Sequence, residues 1–158
     1  MSIWILKATI QKSISFLPYS HRINYLFQKY VTKGVNLTDA LMDDKLLHCS
    51  NHDKSYQNHH ELGQSEQAPN KTLEIGTGWF PIVPIGMYLL GSNSIYTVDL
   101  SPLLRGENVL ATLQKFLAYD KDGRLAEFLP HIVPQRLSKF KQIAQQALAE
   151  TKTISYVD

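Results

Sequence analysis

Apolar residues recur at helical spacing near the start of the chain. Five of them, three or four residues apart, would form one stripe on a helix: Ile3, Leu6, Ile10, Ile14 and Leu17. Pro18 cannot continue the backbone hydrogen-bond ladder, so this helix should end before it. We expect the stripe to pack on the rest of the protein; a helix that lies on a membrane surface or covers a substrate pocket is the alternative. Lys7, Gln11 and Lys12 interrupt the roughly 18 apolar residues that a membrane span would need.

Two further helices are predicted before a polar segment. Ile23 begins a second apolar face, and a third helix should begin at Thr38. The polar residues that follow contain a glycine and a proline, which are typical of a linker. We therefore predict an amino-terminal helical part over residues 1–62 and a second domain over residues 70–158.

From residue 71 the pattern changes to short apolar runs separated by helical segments. TLEI and SIYTVDL are rich in β-branched residues and predict two strands. The run between them predicts a helix with Pro81 or Pro84 in its first turn and Gly91 at its end.

The remainder of the chain predicts more helices and one more strand. Ser101-Pro102 should start a helix, since a cap residue is followed by proline. Residues 124–151 read as helix in two pieces, separated near Pro130 and Pro134. TISYVD, at 153–158, is predicted to begin a third strand. Strand, helix, strand, helix, strand is typical of an α/β fold with a parallel sheet, here of about three strands.

Candidate chemistry lies in the turn after the first strand. Gly76 and Gly78 let the backbone pass close to a ligand, where a Cβ atom would block it. The helix start that follows offers free N–H groups. Asp99 comes at the end of the next strand, 23 residues after Gly76, and an acid there can accept hydrogen bonds from both hydroxyls of a ribose. We therefore expect an adenosine-containing ligand.

Two ligand classes compete for this turn. A dinucleotide-binding turn needs a third glycine, and Pro81 occupies that position. Trp79 and Phe80 are expected to crowd a pyrophosphate, and the carboxylate of Glu74 would repel phosphates. The same carboxylate suits a ligand that carries an ammonium group.

LEIGTG, followed by VDLS at the end of the next strand, resembles the cofactor half of the class I S-adenosylmethionine-dependent methyltransferases. The resemblance implies a partial Rossmann-like domain with these cofactor-binding residues: Glu74, Gly76, Thr77, Gly78, Asp99 and Leu100. In that family the turn lies beside the methionine portion of the cofactor, the second-strand acid binds the ribose hydroxyls, and the next residue often touches adenine. Phe80 stands where many members carry a further glycine.

The resemblance leaves the reaction partly open. The amino-terminal helices resemble the cap that such enzymes place over a substrate, and we expect a small-molecule acceptor; the sequence identifies neither the acceptor nor a catalytic base. The resemblance implies a sheet of seven strands, of which this chain would supply about three. The predicted strand at 153–158 would then be left with an unpaired edge. We therefore expect the amino-terminal portion of a longer methyltransferase, or a truncated reading frame, with weak cofactor binding and little or no turnover alone.

Two other classes of function stay open. One is an NAD(P)-dependent oxidoreductase, which the missing third glycine disfavours. The other is a non-catalytic half-domain that associates with another chain through an exposed sheet edge.

Composition adds limits on partners and location. The net charge is +2 and evenly spread, so we expect no nucleic-acid partner. Hydrophobic residues make up 44% and charged residues 19%, as in ordinary globular proteins. Cys49 stands alone, which excludes an internal disulfide and fits the reducing cytoplasm.

A histidine-rich segment, HCSNHDKSYQNHH, is the remaining candidate site. His48 and His52 are four residues apart and could bind zinc from one helical face, with four possible ligands nearby: Cys49, Asp53, His59 and His60. No second ligand pair stands elsewhere at a telling spacing, so we expect a solvated face or loop and predict no metal site. A histidine here could also be a general base, although nothing selects one. Further along, Arg136, Lys139 and Lys141 are expected to form a solvated helix face.

Overall fold

A computed structural model of the chain describes residues 5, 9, 12–13, 23, 35–60, 71–100 and 102–154. The chain divides into two compact units, Met1–Asn36 and Leu37–Asp158. In the first unit the hydroxyls of Thr9 and Ser13 each donate to the carbonyl oxygen four residues earlier, at 2.9 Å, as in a helix. The predicted linker at residues 63–69 lies outside the described residues.

The second unit begins with helix α1, Asp39–His60. Thr38 caps it as predicted, because its Oγ1 accepts a hydrogen bond from the backbone N–H of Leu41 at 3.2 Å. Five residues at helical spacing form its buried face: Met42, Leu46, Cys49, Ser50 and Asp53. The helix continues through the polar segment 50–60.

A parallel pair of strands follows α1. Strand β1, Lys71–Ile75, pairs with strand β2, Ser94–Val98, so that Lys71 lies opposite Ser94 and Ile75 opposite Val98. Helix α2, Ile82–Leu89, connects them. Pro84 lies in its first turn, and the chain leaves the helix at Gly91, whose φ is 118°. The predicted strand–helix–strand order and the parallel pairing are confirmed.

The next helix begins later than the sequence predicts. Helix α3 spans Gly106–Lys121, with Arg105 rather than Ser101 as its cap. A cap residue followed by proline permits a helix start but does not force one. The backbone N–H of Val109 donates to the carbonyl of Arg105 at 3.0 Å, and the residues from Pro102 to Arg105 stay outside the helix.

Two helices complete the described chain. Helix α4 spans Arg124–Phe128 and helix α5 spans Pro134–Ile154. The break between them falls at the predicted prolines, and Pro134 takes the first helical position. The predicted strand at 153–158 is wrong for residues 153 and 154, which belong to α5, and its other residues lie outside the described ones. Extending an existing helix needs no new nucleation, which outweighs the β preference of threonine and isoleucine here.

The core of this unit lies among the helices. Phe116 of α3 meets Phe140 of α5 edge-on, with ring centroids 5.6 Å apart. Leu89 of α2 and Leu125 of α4 are also fully buried. The described residues therefore form a mainly helical α/β fold with a two-stranded parallel sheet. Within those residues, no helix has both the length and the apolar character to span a membrane.

Ion pairs join α1 to α3 and α4. Arg124 Nη1 donates to Asp39 Oδ2 at 2.8 Å, and Arg124 Nη2 donates to Asp43 Oδ1 at 2.8 Å. Tyr119 also donates to Asp43 Oδ1 at 2.8 Å, and Lys115 pairs with Asp39. Hydrogen bonds from Lys115 and Arg124 hold the pKa of Asp39 below its usual value. Burial, and then the bond to Asp43, raises the pKa of Tyr119. These five residues form the ionic cluster.

Candidate functional site

The turn between β1 and α2 has the backbone geometry that its glycines allow. Gly76 has φ 84° and Gly78 has φ 72°, a region that residues with a Cβ atom rarely adopt. A Cβ atom at either position would meet nothing within 4 Å, so both glycines border open space. The turn therefore exposes backbone that a ligand can approach closely.

Asp99 joins the end of β2 to this turn. Its Oδ2 accepts a hydrogen bond from the backbone N–H of Gly78 at 2.7 Å, and the N–H of Gly76 donates to Val98 O at 2.8 Å. Asp99 is exposed, and Oδ1 accepts no hydrogen bond from the described residues. One carboxylate oxygen thus orders the turn while the other remains free to accept from a ligand.

A cavity of about 420 Å³ opens beside this hydrogen bond. We call it the turn cavity; its walls are Thr77, Gly78, Thr97, Asp99, Leu100, Pro102, Leu103 and Leu104. Leu100 is fully exposed, and Leu104 is exposed over nearly half of its surface. Apolar surface therefore lies next to a carboxylate, an arrangement that fits a flat ring attached to a group with hydroxyls.

The six predicted site residues do not all face this cavity. Thr77, Gly78, Asp99 and Leu100 line it. Gly76 belongs to the same turn but is not among the wall residues. Glu74 lines a different cavity, beside α1, although its Oε2 accepts a hydrogen bond from Thr77 Oγ1 at 2.9 Å. Thr77 therefore connects Glu74 to the turn.

Trp79 and Phe80 do not crowd the turn cavity, contrary to the expectation from the sequence. Both side chains are buried in the core and neither lines the cavity. The turn directs these two large apolar residues inward, where burial is favourable. Pro81 and Glu74 then remain as the features that disfavour a dinucleotide.

The histidine-rich segment occupies the second half of α1. His48, His52 and His59 are exposed, whereas Cys49 and Asp53 are buried on the core side. The expectation of a solvated face therefore holds for the three histidines only. In the described part of the chain, no three side chains of the types that bind metals come together.

Asp53 makes a contact that the sequence did not suggest. Its Oδ2 lies 2.9 Å from Nδ1 of His131, and Nε2 of Gln57 donates to the same oxygen at 3.1 Å. Asp53 is buried while His131 is half-exposed. The pair is separated by 78 residues, and no local pattern marks it.

Arg136 also differs from its predicted role on a solvated face. Its Nη1 donates to the carbonyl oxygen of Tyr88 at 3.2 Å and to that of Ser92. The guanidinium therefore binds carbonyl oxygens at the carboxyl end of α2, where a positive charge is favourable. Lys141 pairs with Asp120 at 2.6 Å, and Lys139 is exposed.

One face of the sheet carries exposed apolar side chains. Leu73 lies opposite Tyr96, and Ile75 lies opposite Val98. All four are exposed over more than half of their surface, and Ile75 over 80%. Association with another chain through the sheet edge stays a prediction. The exposed apolar face adjoins that edge.

No protein-family model, curated protein or solved structure matches this chain.

Proposed function

We propose that this chain is the cofactor-binding portion of an S-adenosylmethionine-dependent methyltransferase, with the cofactor in the turn cavity. The observation that carries the proposal is the 2.7 Å hydrogen bond from Gly78 N to Asp99 Oδ2. It brings an open glycine turn and a second-strand carboxylate to the same cavity of about 420 Å³. Ligand pockets in proteins commonly hold about 300–1,000 Å³.

The residues around the turn favour this cofactor over a dinucleotide. A dinucleotide-binding turn needs a third glycine for close packing of the helix against the strand, and Pro81 is buried at that position. Thr77, whose hydroxyl bonds to Glu74, places a carboxylate next to the turn. A carboxylate repels phosphates and attracts the ammonium and sulfonium groups of S-adenosylmethionine.

Each predicted residue then has a physical role. Asp99 accepts hydrogen bonds from the ribose hydroxyls, and Leu100 offers apolar surface to the adenine. Gly76 and Gly78 allow the backbone to approach the ligand. Thr77 ties Glu74 to the turn, so its carboxylate attracts the ammonium group from just outside the turn cavity. The cofactor supplies an activated methyl group on sulfur, so the protein's contribution is largely positioning. The described residues hold two strands of the seven in that fold, and the proposal is therefore tested on cofactor binding.

Calorimetric titration of the full chain with S-adenosylhomocysteine tests the proposal. We expect saturable binding that Asp99→Asn weakens by about ten- to a hundredfold, because hydrogen bonds to a charged group contribute about 1.5–3 kcal/mol. Asp122→Asn is the matched control, since Asp122 is exposed at the end of α3 and distant from the cavity walls. Its affinity should equal that of the wild type.

Two results would contradict the proposal. One is NADH binding that is tighter than S-adenosylhomocysteine binding and is equally sensitive to Asp99→Asn, which would favour the oxidoreductase. The other is a wild-type chain that is folded by circular dichroism but binds no S-adenosylhomocysteine at millimolar concentration.

A further inference from the structure

A second cavity, of about 430 Å³, lies beside α1 and contains only Glu74 of the proposed cofactor-binding residues. We call it the helix cavity. Helix α1 contributes one wall, consisting of Lys45, His48, His52 and Tyr56. The sheet and α2 contribute the other walls, consisting of Thr72, Leu73, Glu74, Ile75, Val83, Pro84, Met87 and Ile95. The cavity is therefore polar on the helix side and mainly apolar on the opposite side.

The polar wall follows from the periodicity of α1. Its residues are spaced by three, four and four, which places them on one face of the helix. The neighbouring face carries the buried residues Leu46, Cys49 and Asp53, which hold α1 against the core. The histidine pair that suggested a metal site in the sequence thus forms part of a cavity wall, with a lysine and a tyrosine along the same face.

All four side chains of this wall can donate hydrogen bonds, and Lys45 carries a positive charge. In the ranges 35–60, 71–100 and 102–154, no carboxylate lies within ion-pair distance of Lys45. His48 lies 3.8 Å from Asp44, and both side chains are more than half exposed. Glu74 is the carboxylate of the cavity, and one of its oxygens is occupied by the hydroxyl of Thr77. An anionic group can therefore reach Lys45 without displacing an ion pair to any carboxylate of those ranges.

The apolar walls determine the rest of the ligand. Met87 is buried, Val83 and Ile95 are half-buried, and Leu73 and Ile75 are exposed. Covering such surface with a compact apolar group gains about 25 cal/mol for each Å² removed from water. A cavity of this size holds a ligand of one or two rings.

We propose that the helix cavity binds a small amphipathic acid, with its apolar body on Val83, Met87 and Ile95 and its anionic group at Lys45. The imidazoles of His48 and His52 lie along the same wall and can donate hydrogen bonds to that group. This inference does not depend on the methyltransferase proposal. It concerns a different cavity, which shares only Glu74 with the proposed cofactor site, and neither Lys45 nor Met87 belongs to that site.

Two probes with the same ring and opposite charge test the proposal: indole-3-acetate and tryptamine. We expect indole-3-acetate to bind the full chain with one-to-one stoichiometry and about two- to fivefold more tightly than tryptamine, the range that a partly exposed ion pair gives. Lys45→Met should abolish this preference. Lys54→Met is the matched control, because Lys54 is an exposed residue of the same helix outside the cavity walls, and it should retain the preference.

Methyl resonances of methionine locate the probe. Met87 lines the cavity, whereas Met42 is fully buried on the core side of α1. In a chain labelled with ¹³C at methionine methyls, indole-3-acetate should shift the Met87 signal and leave that of Met42 in place. Met87→Leu assigns the signal.

Several outcomes would overturn the proposal: no saturable binding at millimolar indole-3-acetate, equal affinity for the two probes, or a shift at Met42 without one at Met87. The proposal would also be overturned if Lys54→Met lost the preference for indole-3-acetate over tryptamine as completely as Lys45→Met. If Lys45→Met does not fold, the double variant His48→Gln/His52→Gln tests the same wall, because it replaces both imidazoles. It should weaken the binding of indole-3-acetate and leave that of tryptamine unchanged.

Discussion

Gly86 fixes how closely α2 approaches α1. A Cβ atom at this buried position would lie 2.6 Å from Cys49 Sγ and 3.4 Å from Cys49 Cβ. The first distance is far below van der Waals contact, while the second is at the short limit of ordinary van der Waals contact. Cys49 is itself fully buried, so its side chain has little room to move. The Gly86→Ala substitution should therefore force the two helices apart or the thiol into another rotamer.

Two opposing terms set the size of the effect. Overpacking a core costs typically about 1–3 kcal/mol, and replacing glycine by alanine within a helix gains about 1 kcal/mol. We expect Gly86→Ala to lower the free energy of unfolding by about 1 kcal/mol. In a Cys49→Ala background the sulfur is absent, so the helix-propensity gain should dominate and the same substitution should stabilise by up to about 1 kcal/mol.

Urea unfolding of the four proteins, followed by circular dichroism, measures the coupling between the two sites. The expected coupling free energy is about 2 kcal/mol, and the sign of the Gly86→Ala effect should reverse between backgrounds. Gly106→Ala is a control at the first position of α3, where a Cβ atom meets nothing within 4 Å. It should not destabilise in either background. Equal effects of Gly86→Ala in both backgrounds would refute the reasoning.

Two more predictions concern buried polar groups. Thr72 Oγ1 is buried and has no hydrogen-bond partner among the residues that the structure describes. Thr72→Val should therefore raise the free energy of unfolding by about 1 kcal/mol. The matched substitution Thr112→Val removes a 2.7 Å hydrogen bond to Asn108 O and should lower the free energy of unfolding by about 1 kcal/mol. A change of the same sign in the two valine variants would disprove this reasoning. Burial, with a smaller contribution from Glu74, raises the pKa of Cys49 to about 12. Iodoacetamide at pH 8 should therefore alkylate the native thiol at least about a thousandfold more slowly than the urea-unfolded one, and equal rates would contradict the burial. The thiol of the unfolded chain ionises at a lower pH than the thiol of the native protein. The free energy of unfolding should therefore fall as the pH rises from 9 towards 12, and this fall should be smaller in the Cys49→Ala variant.

Local signals in the sequence predicted the strand–turn–helix unit well. Gly76 and Gly78 have the positive φ that such a turn requires, and Asp99 lies against the turn because parallel strands end at the same edge of a sheet. The start of α3 at Gly106 and the helical residues 153 and 154 were missed, since caps and β-branched residues are weak signals that neighbouring structure overrides.

Contacts between distant parts of the chain could not be predicted from one sequence. The placement of Glu74 in the helix cavity depends on where α1 packs, and α1 was read only as part of a cap. Likewise, Asp53 and His131 carry no pattern that links them across 78 residues. Periodicity identifies the faces of a helix but not the partner of each face.

The ionic cluster has a consequence for the timing of synthesis. Arg124 lies 85 residues after Asp39 and 81 residues after Asp43. Ribosomes add about 5–20 residues per second, so α1 is made several seconds before the arginine that pairs with its first turns exists. The β1–α2–β2 segment, whose contacts are closer in sequence, can form during that interval. Docking of α1 onto α4 is therefore a late event in the biosynthesis of this protein, and a nascent chain arrested before residue 124 would carry the carboxylates of Asp39 and Asp43 without that partner.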